Sequence, residues 1–194
     1  MVIKITDTHI HIWDLQKASY PWLQGDQSIL NRTWSIEEID DKRKEAGVTR
    51  GILVQAAGNS EDTELMLETA ARTSWIGGVV AWLPLTDTNA TRQLLEQRFL
   101  SEPYFKGVRH QIHDEKDTKW LLKPSVIDSL QLLAKYNIPY DVVGILPAHL
   151  ETVLEVAERI PDLNMVLDHL NGPPIPTRER FGKWGELMRE AAKH

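Results

Sequence analysis

The chain has 194 residues, 42% of them hydrophobic, with 22 Lys plus Arg against 28 Asp plus Glu and a formal net charge of −6. No basic run offers the electrostatic footprint of a nucleic-acid or anionic-membrane binder, and the lack of cysteine excludes disulfides, zinc–thiolate sites and thiol nucleophiles. No window approaches the length of a membrane span, and no basic flank or apolar signal stretch opens the chain, so a cytoplasmic single domain over residues 1–194 is expected.

The first element, in "VIKITDTHIHIWD", is a strand that carries two histidines two residues apart. Residues i and i+2 of a strand share a face. His9 and His11 are therefore expected to project together, with Asp7 on their side and Thr8, Ile10 and Ile12 packed on the other. Two imidazoles converging from one strand suit a metal site, or a neutral substrate that needs several donors and acceptors. A helix follows in "SIEEIDDKRKEAG", with Ser35 as N-cap, Glu38 closing a capping box and Gly47 as the stop.

Further apolar, β-branched runs follow at Arg50–Ala57, Ile76–Leu85, Phe105–Ile112, Ile138–Gly144 and Leu163–Leu170. Helical patterns separate them. "SEDTELMLETAARTS" repeats Leu65, Met66, Thr69 and Ala70. "PSVIDSLQLLAKYN" starts on Pro124 and aligns Val126, Leu130, Leu133 and Ala134. "PAHLETVLEVAERIPDL" aligns Leu150, Val153, Leu154, Ala157 and Ile160, and a last helix over Arg178–Lys193 carries Phe181, Trp184, Leu187, Met188 and Ala191.

Six strand-then-helix units imply parallel strands with crossover helices. No glycine-rich nucleotide fingerprint follows any strand, which leaves a (β/α) barrel as the expected α/β architecture. Barrel chemistry collects at strand C-termini. There the chain places His9 and His11, Arg109 and His110, and Asp168 and His169.

The segments "DTHIHIWD", "FKGVRHQIHDEKDTKWLLKPSV", "IPYDVV" and "VLDHLNGPPI" resemble the amidohydrolase-related family (amidohydrolase 2). The likeness is to its branch of L-fuconolactonase, L-rhamnonolactonase and pyrone-dicarboxylate lactonase type hydrolases. It implies a (β/α)8 TIM-barrel-like fold, incomplete here at about six βα units, and hydrolysis of a sugar lactone or related cyclic ester. It also implies a cytoplasmic enzyme of carbohydrate metabolism acting on a small molecule.

Carried over residue by residue, His9, His11 and His169 match the catalytic histidines, and Arg109 and His110 match the fourth-strand "G-V-R-H" and are expected, with Asp141, to bind substrate. Asp141 stands with Tyr140 where metal-dependent decarboxylase relatives have a further histidine. The bridging lysine of two-metal relatives is replaced by Val108, Arg109 and His110, so no cofactor is expected, or at most one zinc ion on His9, His11 and His169. The family's general base is an aspartate on strand eight, and no aspartate here has that context. With the chain stopping after the sixth helix, near-background hydrolysis and a homo-oligomer formed through open barrel edges are expected. A silent, ligand-binding or purely oligomerising relative is the alternative.

Plainer readings stand beside these. His110 would be a hydrogen-bonded core histidine, and Arg109 an ion-pair partner of Asp141 or Glu115. His113, His149 and His194 would face solvent. Only one of Asp168 and His169 can face the barrel axis if the strand stays regular, and His169 is favoured. The tryptophans would pack core and loops, although Trp22 in "YPWL" could cover a sugar ring.

Overall fold

The computed structural model describes residues 3–175 and 181–194. Its six strands follow one another in sheet order from first to last, and the pairings within each compact unit are parallel. One unit comprises residues up to Leu83 with Phe99–Gly107; the other comprises Pro84–Arg98 and Val108–His194.

In the first unit, β1 (Ile5–Ile10), β2 (Val48–Val54) and β3 (Ile76–Ala81) alternate with α1 (Asp40–Glu45) and α2 (Ser60–Arg72). The register aligns Ile10 with Leu53 and Leu53 with Val79, so these three buried side chains form one core row. Gly51 leaves room for that row: a Cβ there would lie 2.7 Å from the Ile10 side chain and 2.5 Å from Trp75. The expected capping box is present. Ser35 N donates to Glu38 Oε1 at 3.1 Å, a 3₁₀ turn (Ile36–Ile39) leads into α1, and Gly47 leaves it at φ +73°. Helix α2 buries the predicted face of Leu65, Met66, Thr69 and Ala70.

The connection from β1 to α1 is a structure in its own right. Trp13 and Trp34 exchange backbone bonds of 3.2 and 2.9 Å, and the Trp13 indole N–H donates to the Arg32 carbonyl at 2.6 Å. Trp13, Tyr20, Leu23, Ala56 and Ala57 form a small separate core, with Ala18 and Trp34 packed against it. The Arg32 guanidinium lies 3.4 Å over the Trp34 ring.

The second unit holds α3 (Thr88–Gln97), the end of β4 (Phe105–His110), α4 (Pro124–Lys135), β5 (Tyr140–Val142), α5 (Pro147–Arg159), β6 (Met165–Leu167) and α6 (Gly182–Ala191). No apolar period in the sequence announces helix α3. Asp87 caps it by accepting from Ala90 N at 3.0 Å, and it buries only Thr91 and Leu95. Helices α4 and α5 bury Val126, Leu130, Leu133, Leu150, Val153 and Ala157 as the periodicity requires. The expected start of the last helix at Arg178 lies outside the described residues. Phe181, expected on its packed face, is exposed, and Leu187 is the buried anchor.

Candidate active site

In the first unit, His9 lies in β1 and His11 just beyond its end. Their rings meet edge to face, with the two Nε2 atoms 3.0 Å apart. His11 Nδ1 lies 2.8 Å from the Val54 carbonyl oxygen. A carbonyl only accepts, so His11 carries its proton on Nδ1 and presents a lone pair at Nε2. That arrangement fits zinc, whose bonds to imidazole nitrogen are about 2.0–2.1 Å and whose histidine ligands have their other nitrogen hydrogen-bonded. Asp7 is exposed, and its Oδ1 accepts from His9 N at 3.1 Å. As expected, Ile10 and Ile12 are buried on the other side, whereas Thr8 is exposed.

Trp22 is partly exposed, packs edge-on against Trp13 and donates its indole N–H to the Ala56 carbonyl at 2.9 Å. Beneath it lies a buried polar cluster. The buried Asp62 carboxylate accepts from Tyr20 OH at 3.0 Å and from the amides of Ala56 and Ala57 at 2.9 and 3.2 Å. Burial and the Asp62 charge hold the Tyr20 phenol well above its ordinary pKa, so it stays a donor. A Tyr and an Asp separated by 42 residues leave no local signature.

In the second unit, the register pairs Arg109 with Asp141 and Asp141 with Val166. The two polar side chains therefore share one sheet face, and strand parity puts Asp168 on it too. Arg109 Nε lies 2.9 Å from Asp168 Oδ2, and both side chains are almost fully buried. Burial lowers the arginine pKa from its ordinary value, opposed by the Asp168 and Asp141 charges. Arg109 is thus an ion-pair partner of Asp168, a residue the sequence expectation did not name, with the Asp141 charge acting on it as well. His110 has the opposite parity. Its ring stacks on Trp120 with centroids 3.9 Å apart, and Nε2 lies 2.8 Å from Glu115 Oε1. Burial pushes its pKa down, with Glu115 pulling the other way.

The choice between Asp168 and His169 dissolves, because β6 ends at Leu167 and the backbone then turns left-handed at His169 and Leu170. Asp168 is buried while His169 is exposed, yet a carboxylate oxygen of one and a ring nitrogen of the other lie within 4.8 Å. Two surface expectations are corrected. His113 is half-buried in a 3₁₀ turn (Ile112–Asp114), with Nδ1 3.2 Å from the Val143 carbonyl. His149 is 1% exposed, and its Nδ1 accepts from Ile145 N and Leu146 N at 3.1 and 3.3 Å. It performs for α5 the service that a capping-box glutamate usually gives. His194 is exposed as expected.

The family model described as Amidohydrolase matches residues 6–194. The chain belongs to the amidohydrolase family. Its six parallel strands and crossover helices are the α/β, TIM-barrel-like arrangement that membership implies. An L-fucono-1,5-lactonase of Burkholderia ambifaria is 29% identical over 188 residues, covering 97% of this chain and 63% of the relative. This amidohydrolase chain thus spans a little under two thirds of that protein's length. The crystal structure of an amidohydrolase from Burkholderia multivorans with bound zinc superposes with a TM-score of 0.86 at 25% identity, covering 98% of this chain and 66% of the other. A probable 2-pyrone-4,6-dicarboxylic acid hydrolase from Acinetobacter baumannii shares the fold, with a TM-score of 0.68 at 18% identity over 95% of this chain and 66% of its own. Among the described residues, no helix is long and apolar enough to cross a membrane.

Proposed function

We propose that this amidohydrolase opens a sugar lactone to the sugar acid, with L-fucono-1,5-lactone as the first substrate to try. The observation that carries the reading is the His9–His11 pair, whose Nε2 atoms converge to 3.0 Å with the His11 tautomer set by Val54. Similarity to an L-fucono-1,5-lactonase supports the substrate class. The match of one family model over residues 6–194 supports a single working domain.

The chemistry asks for little. Water adds to the lactone carbonyl, the oxygen becomes an oxyanion, and the ring C–O bond breaks as the ring oxygen takes a proton. Donors aimed at the oxyanion accelerate this step. We assign that work to the Arg109 guanidinium, whose plane Asp168 orients. His9, His11 and His169 are assigned to the carbonyl and water. Asp141 is assigned to a sugar hydroxyl and Trp22 to the ring face, while His110, stacked on Trp120, steadies the backbone of its neighbour Arg109. Asp168, within 4.8 Å of the His169 ring nitrogen, is the carboxylate proposed as general base. A zinc ion held by His9 and His11 would supply Lewis-acid polarisation and a more acidic water. Among the described residues β6 is the last strand in sheet order, and self-association along it is proposed, which light scattering reads directly.

The test is proton release from L-fucono-1,5-lactone and L-rhamnono-1,5-lactone, alongside metal analysis. Ring opening well above the uncatalysed rate, abolished in both His9→Ala and His11→Ala, is expected. A folded protein that opens neither lactone, with or without added zinc, sinks the proposal.

A further inference from the structure

Four consecutive residues after β6 hold left-handed backbone: His169 at φ 51°, Leu170 at 53°, Asn171 at 51° and Gly172 at 66°. Only glycine adopts this region without a steric penalty, and L-residues visit it singly rather than in runs. Such a run persists only where the surroundings over-determine it. Three contacts do so here. The Asn171 side chain, 1% exposed, accepts from Gly144 N. The Trp184 indole N–H of α6 donates to the Leu170 carbonyl at 2.8 Å. Gly172 lies against Ile145, so close that a Cβ would come within 3.2 Å of the Ile145 Cα.

The turn has a chemical result. Along a regular strand, neighbouring side chains leave on opposite faces. After the switch at His169, the Asp168 carboxylate and the His169 ring nitrogen stand within 4.8 Å of each other. Gly144 is the other half of the clamp: a Cβ there would meet Asn171 Oδ1 at 2.8 Å and His149 Cβ at 2.6 Å. The amides of Gly144, Ile145 and Leu146 are thus all held by buried side-chain acceptors, the first by Asn171 and the next two by His149.

We propose that Asn171 is a positioning residue: by tying the left-handed turn to the end of β5, it fixes the mutual geometry of Asp168 and His169. Its kinetic consequence rests on the lactone-hydrolase reading; the geometric claim does not. Asn suits the post because it tolerates left-handed backbone better than most side chains and brings its own acceptor.

Two variants of the intact protein separate this role from simple packing. Asn171→Gly keeps the backbone freedom and removes the acceptor, while Asn171→Asp keeps both acceptor and size. The measurements are ¹⁵N shifts of the His169 ring, exchange of the Gly144 amide, and kcat and KM on L-fucono-1,5-lactone. In Asn171→Gly the ring shifts move and the amide exchanges faster. Its kcat falls about 10- to 100-fold with KM nearly unchanged, the scale expected of a small misplacement. Asn171→Asp restores the amide protection and most of kcat. If Asn171→Gly lowers only the melting temperature, with ring shifts and kcat intact, the residue is merely structural and the proposal is overturned. If the unaltered protein opens no lactone, the hydrolase reading fails, but ring shifts that follow Asn171 still uphold the positioning role and unmoved shifts still overturn it.

Discussion

His11 donates its Nδ1 proton to the Val54 carbonyl at 2.8 Å, and that single bond decides which ring nitrogen faces His9. The strand spacing brings the rings together; the neighbouring strand's backbone sets their chemistry. If the pair holds zinc as proposed, removing either ring abolishes its uptake. His9→Ala and His11→Ala are expected to retain less than a tenth of the metal bound by the unaltered protein after dialysis against a chelator. Elemental analysis reads this, and equal retention in all three would remove the pair from any metal site.

The Arg109–Asp168 pair gives a second prediction. Arg109→Met leaves two carboxylates, Asp141 and Asp168, on one buried face without their cation. The cost should be about 3–5 kcal/mol. Arg109→Met combined with Asp168→Leu removes an orphaned charge and should recover part of that loss. Urea denaturation of the two single variants and the double variant closes the cycle, and additive losses would argue against a coupled pair.

Acid sensitivity follows from two buried rings. Burial, reinforced by nearby His113, lowers the His149 pKa, and burial lowers that of His110 against the pull of Glu115. A depressed pKa means that the native state binds fewer protons than the unfolded chain once the pH drops below the unfolded value near 6.5. The stability these neutral rings confer is complete above about pH 6.5 and is lost as the pH falls through the folded values. Protonating His149 would also strip the acceptor from Ile145 N and Leu146 N. His149→Gln, which accepts but does not titrate, should flatten the decline in urea midpoint between about pH 7.5 and 5. Parallel curves for the two proteins would contradict this.

Asp62 supports the loop that carries Trp22. Asp62→Ala strands the amides of Ala56 and Ala57 and the Tyr20 hydroxyl in a buried setting, and should cost about 3 kcal/mol or more. Tyr20→Phe removes the bond to Asp62 and the longer one accepted from Asp14 N at 3.4 Å, and should cost about 1–2 kcal/mol. Trp22→Ala removes a partly exposed ring together with its bond to the Ala56 carbonyl, so it should raise KM for a sugar lactone several-fold and lower the melting temperature less than Asp62→Ala does. Calorimetry and steady-state kinetics separate the three variants. A Trp22→Ala protein with unaltered KM would take the indole out of substrate contact.

Strands and most helices were legible because their apolar periods are strong: Val126, Leu130 and Leu133 on α4, or Leu150 and Val153 on α5. Helix α3 escaped because it buries only Thr91 and Leu95, too sparse a stripe to register as a period. The His9–His11 pairing was legible because two residues along one strand share a face. The Asp168–His169 relation was not, since the parity rule assumes a strand that continues, and here it ends one residue early in left-handed turns. His149 was misread for a related reason. A polar residue at a helix start suggests solvent, whereas its imidazole replaces solvent by accepting two amides. Partners such as Asp62 and Tyr20 depend on tertiary proximity that no local pattern records.

The β1–α1 connection closes on itself through the Trp13–Trp34 bridge and encloses its own small apolar nucleus. A segment tied at its base behaves as a cassette. It can be exchanged for a relative's, differing in length and side chains, with the strand that bears His9 left undisturbed, provided that the two tryptophans at its neck and the carboxylate of Asp62 are kept. Grafting of that kind offers a direct route to altering what the protein accepts, by changing the furniture above the site and not its foundations.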